Sequence, residues 1–151
     1  MFKKGANPLK VARDAVKTQG AEFHVILRPA GWLGSMPYEG IFNSKFSAEH
    51  PEWRCTDRDG TPTFYMTDAF PQLRKQVFDI VRETLELQPE GVGFVFNRRM
   101  PLMLLEHAFC GLFQQMHHAD ARAVEDGDRR VHATRAAIMT DFMFDVSTLL
   151  D

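Results

Sequence analysis

The sequence predicts an α/β fold built on parallel strands, and three observations carry that prediction. The run 91–96, Gly-Val-Gly-Phe-Val-Phe, is apolar or glycine throughout, with no charge and no helical stripe. That is the pattern of a strand covered on both faces of a parallel sheet. A second short run, 23–28, reads as a strand and stops at Pro29-Ala30-Gly31. Between the two lies an amphipathic stretch, 71–87, with a period near 3.6. Strand, helix and strand in that order make a βαβ unit, whose crossover is right-handed almost without exception.

The elements follow in order. Asn7-Pro8 starts a helix, with Asn7 as its cap and Pro8 at the first helical position. Leu9, Ala12 and Val16 give that helix one apolar face, and Gly20 stops it. The strand 23–28 comes next. From Pro29 to Thr67 there is almost no periodicity; glycines and prolines break the chain, and Trp32, Tyr38, Phe42, Phe46, Trp53, Phe64 and Tyr65 sit between the breaks. A long connection rich in aromatics is expected to be ordered and folded over something, because disorder is poor in aromatics. A plain aromatic mini-core is the alternative. Pro71 opens the next helix, with Thr67 or Asp68 at its entry, and Leu73, Val77, Ile80, Val81 and Leu85 on one face. Pro89-Glu90-Gly91 turns the chain into the strand 91–97. Beyond Pro101, Leu105, Phe109, Leu112 and Met116 mark a helix; 120–128 is a polar break; Val131, Ile138, Phe142 and Leu149 mark a long final helix.

With 151 residues, 44% hydrophobic and 25% charged, the chain is expected to be a single domain, 1–151, with a proper core. The net charge of -2 and the scatter of Lys and Arg leave no basic stripe for nucleic acid. No apolar run approaches the roughly 18 residues of a membrane span. The first residues lack an apolar signal core, so the chain reads as cytoplasmic. Cys55 and Cys110 are expected to be reduced thiols, and no metal-ligand spacing or cofactor motif is present. Thirteen Phe against two Tyr is a heavy apolar load, which leaves room for a surface covered by an oligomeric partner.

The run His50-Pro51-Glu52-Trp53-Arg54-Cys55-Thr56-Asp57-Arg58-Asp59-Gly60-Thr61 resembles a segment of a family of bacterial glycoside-hydrolase-like (β/α)8 barrels. Asn7-Pro8-Leu9 leading to Phe23-His24, Phe70-Pro71-Gln72-Leu73-Arg74, and Gly91-Val92 through Phe96-Asn97-Arg98 match in the same order. The resemblance implies a partial TIM (β/α)8-type barrel, with βα units, a long aromatic-rich βα loop, and carbohydrate as substrate or ligand at the carboxyl ends of the strands. Two departures stand out. A complete barrel takes about 250 residues, so this length holds about three βα units. The chain is then a piece of a longer product or a reduced relative, with the remainder of the barrel or a homo-oligomer as a partner. Nor does any acidic residue lie between Gly91 and Asn97; the nearest downstream carboxylate is Glu106.

Glycoside hydrolysis needs two carboxylates flanking the scissile bond. Glu106, one short loop beyond the strand, is the candidate acid/base, against the alternative of a glutamate at a helix start. Asp59, with Asp57, lies in the long loop and offers a second carboxylate, although Asp-x-Asp-Gly is also a turn sequence. Arg28, Asn97 and Arg98 end the strands, where a guanidinium can donate paired bonds to a sugar hydroxyl or a carboxylate. Trp32 and Trp53 are stacking platforms or core residues, and His50 is a hydrogen-bonding candidate. Three readings remain open: a hydrolase, a carbohydrate-binding module without turnover, and a structural fragment that associates through an unclosed sheet.

Overall fold

The computed structural model describes residues 7–29, 44–96 and 102–150. Its chain order is α1 (Pro8–Thr18), β1 (His24–Leu27), α2 (Lys45–Glu49), β2 (Arg54–Thr56), β3 (Pro62–Met66), α3 (Pro71–Leu85), β4 (Gly91–Phe94), α4 (His107–His117) and α5 (Arg129–Leu150). The helix starts follow local chemistry. The Asn7 carboxamide accepts from Leu9 and Lys10 at 3.0 and 3.3 Å, and Gly20 leaves α1 at φ +70°.

β1 and β4 pair in parallel, with His24 opposite Gly91, Val25 opposite Val92, Ile26 opposite Gly93 and Leu27 opposite Phe94. Bonds from Glu90 N to Phe23 O and from Val95 N to Leu27 O extend the ladder at both ends. Among the described residues the sheet is covered on one face. Phe94 and Phe96 turn to Phe142 of α5 with edge-on geometry at 5.4 and 6.1 Å, and Val77 of α3 and Val146 join that core. On the other face Ile26 is 66% exposed. The expected strand covered on both faces is therefore corrected: every residue of β4 is half-buried, because a single helical layer and one neighbouring strand cover it among the described residues. Two parallel strands with their helices make an α/β unit and not a closed barrel.

The stretch read as irregular from Pro29 to Thr67 contains regular structure. It holds α2, a 3-10 turn over Pro51–Trp53, and an antiparallel hairpin of β2 and β3 with Arg54 opposite Met66. Gly60, at φ +90°, makes the turn between those strands, a backbone conformation that favours glycine. Periodicity missed these elements because three- and five-residue pieces are too short to show a period.

α3 fixes the polarity of the site. Its end leads through residues 87–90 directly into β4, beside the amino ends of both strands. Fifteen residues of helix span about 22 Å, so its start stands beyond the strands' carboxyl ends. α1 contributes little apolar burial: no residue of it is fully buried, and Leu9 and Val11 are 45% and 46% exposed. It is held by polar contacts instead, an ion pair of Lys17 with Glu90 and a bond from Arg13 to Leu87 O. No helix among the described residues is long and apolar enough to cross a membrane.

Candidate functional site

At the start of α3 the chain that follows β1 meets the chain that follows β4. Leu105 N donates to Thr56 O at 2.7 Å, and the Cys55 thiol donates to Leu102 O at 3.5 Å. The Thr67 hydroxyl donates to Glu106 Oε1 at 2.8 Å, while Leu104 N donates to Glu106 Oε2 at 2.9 Å. Around these bonds Met66, Phe70 and Leu73 form an apolar floor, with Phe46, Trp53 and Ala108 against it. The junction buries three ionisable groups together: Cys55, Asp68 and Glu106 are 0%, 3% and 1% exposed.

Burial sets their electrostatics. It pushes the Asp68 carboxyl up to about 6, with Arg74 pulling the other way, and Asp68 Oδ1 has no hydrogen-bond partner among the described residues. Burial also raises Glu106, and the bonds from Thr67 and Leu104 recover only part of that shift. The Cys55 thiol is pushed up as well, first by burial and then by the negative charges of Glu106 and Asp68, so it is an inert neutral thiol. Both cysteines are free.

Thr67 and Asp68 do not cap α3. Its N-cap is Phe70, without a side-chain bond, and the Thr67 hydroxyl instead accepts from Ala69 N at 3.1 Å. Two buried polar residues ahead of a helix look like an ordinary helix entry in sequence, so nothing local distinguished Asp68 from a cap.

Glu106 is at the centre of the junction, both of its oxygens accepting bonds within the chain. Asp59 is exposed at the hairpin turn, where it and Asp57 both accept from Thr61 N at 2.8 and 3.1 Å. The hydrogen bond between the two carboxyls lowers Asp59 to about 2 and raises Asp57. His50 and Trp53 are stacked on each other with centroids 3.8 Å apart and planes at 8°, so one face of each ring is occupied internally. His50 also bonds Glu52 at 3.0 Å. Arg28 is exposed one residue beyond β1. Trp32, Asn97 and Arg98 lie outside the described residues.

No protein-family profile matches the chain, and no curated protein matches it. Among solved structures it is similar to the alpha-galactosidase from Lactobacillus brevis, at a TM-score of 0.51 and 18% identity, over 89% of this chain. The chain spans 16% of the length of that structure. At this identity the likeness is one of fold: this α/β unit is related in shape to a portion of a glycoside hydrolase.

Proposed function

We propose that the chain is part of a glycoside-hydrolase-related barrel and meets carbohydrate at the carboxyl ends of β1 and β4. The observation that carries this reading is the junction itself. Parallel α/β folds place their sites beyond the strands' carboxyl ends, and here that position holds two carboxylates raised by burial, one of them unpartnered. Asp68, with a proton still bound near pH 6, has the property required of the acid that protonates a leaving glycosidic oxygen. Glu106 is then the second carboxylate, oriented by Thr67 and Leu104 N. Arg28, His50 and Trp53 supply polar and aromatic contacts around it; Asp59 serves the hairpin turn.

A second reading, binding without turnover, is favoured by the burial of both carboxylates, which leaves a glycosidic oxygen no open path to them among the described residues. Aryl-glycoside turnover, measured with oligosaccharide binding by calorimetry, separates the two. The hydrolase reading expects turnover that falls at least about a hundredfold in Asp68→Asn. Binding with no turnover supports the second reading, and absence of both defeats the carbohydrate assignment.

A further inference from the structure

Adjoining this junction through residues 102–104, a cleft of about 530 Å³ opens between those residues and the first half of α5. That volume is within the range that admits a small organic ligand. Its walls are mostly apolar, with Leu104, Ala136 and Met139 among them. Arg135 on α5 brings a cation to it, with the imidazole of His132 one turn away. The Arg135 side chain is the unusual feature. Its Nε is buried with no hydrogen-bond partner among the described residues, and its guanidinium carbon lies 5.8 Å from the centre of the Phe109 ring. Asp126, the carboxylate of the lining, is turned to Arg58 at 2.7 Å and does not neutralise it.

A guanidinium nitrogen buried without a partner, on a side chain with no ion pair among the described residues, is costly, and an anion at the guanidinium is what relieves the cost. The planar fork of donors matches a carboxylate in two parallel bonds, whereas a phosphate dianion calls for more donors than one arginine supplies. The apolar walls suit an apolar body attached to that carboxylate. We propose that this cleft binds a small organic carboxylate with an aliphatic or aromatic body, its carboxylate paired with Arg135. The site is independent of the carbohydrate reading and stands or falls without it.

The probe is 4-phenylbutyrate, titrated into the intact chain by calorimetry and followed at the Ala136 and Met139 methyls by NMR. Binding is expected, with 4-phenylbutyramide and Arg135→Met each weaker by at least about tenfold. Acetate, which lacks the apolar body, is expected not to compete. Ala136→Trp, an exposed helix position beside the cleft, should block binding while leaving the thermal melt unchanged, so the test survives even if Arg135→Met fails to fold. Equal affinity for acid and amide, undiminished binding to Ala136→Trp, or no binding by the unaltered chain at millimolar probe would each overturn the proposal.

Discussion

Asp68 carries a stability cost at neutral pH. Its carboxyl is 3% exposed, leaves Oδ1 unpartnered among the described residues, and titrates at about 6 against an ordinary 3.8. Because the folded chain holds this proton more tightly than the unfolded one, its contribution is most favourable below about pH 4 and is lost as pH rises through about 6. The rise from 3.8 to about 6 corresponds to a penalty of about 3 kcal/mol above that window. Asp68→Asn, which cannot ionise, is therefore expected to stabilise the chain by about 2–3 kcal/mol at pH 7.5 and by almost nothing at pH 4. Urea unfolding of both proteins across that range checks it; a stability difference independent of pH would show that Asp68 is not buried as a titrating acid. A buried, destabilising acid is what a functional group leaves behind, since activity and stability often trade off. Its position was not legible in sequence. Asp68 sits two residues ahead of Phe70, where an exposed cap is the common case, and its burial arises from packing of distant segments, as the bond from its neighbour Thr67 to Glu106 illustrates.

At the scale of elements, the pairing of β1 with β4 determines where every connection emerges. Gly91 stands opposite His24, and a Cβ at Gly91 would lie 2.5 Å from His24 Nδ1. The His24 ring is largely exposed and bonded to Glu22, so it can swing aside at modest cost. Gly91→Ala is thus expected to be neutral to slightly destabilising in the natural chain. In a His24→Ala background the same change should stabilise by about 0.5–1 kcal/mol, through the reduced freedom of the unfolded chain. The resulting coupling of about 1 kcal/mol in a double-mutant cycle is a direct readout of register. No coupling would place His24 opposite some other residue. The βαβ order was readable because α3 is long enough to display a helical period and the run 91–96 is apolar or glycine without a break. The hairpin of β2 and β3 was not, since its strands are three and five residues long and, among the described residues, pair only with each other.

For the molecule as a whole, the decisive feature is an apolar inventory larger than the surface it covers. Ile26 is 66% exposed on the open face of the sheet, Phe144 on α5 is 68% exposed, and α1 keeps its apolar face half in solvent. Open sheet faces and unpaired parallel strands favour association with further strands or another copy. Sedimentation is expected to show concentration-dependent self-association, reduced in Ile26→Lys with a stability change within about 0.5 kcal/mol. A monomer at all concentrations, or association untouched by the substitution, would mean that this face is not the one used. The likeness to a portion of the Lactobacillus brevis alpha-galactosidase, spanning 16% of its length, is one of fold.

What the sequence determined by itself was local: the Asn7 cap, the Gly20 stop, the helices with visible periods, and the parallel relation of β1 and β4 that a βαβ order imposes. Those follow from interactions within a few residues or from a nearly universal crossover rule, so one chain suffices to read them. Only the tertiary structure decided that Thr67 reaches Glu106 across 39 positions, that His50 and Trp53 stack on each other, and that Arg135 lies in a mostly apolar cleft whose carboxylate, Asp126, is paired with Arg58. Burial and partnership at such separations depend on how elements pack, and no pattern of neighbouring residues encodes them.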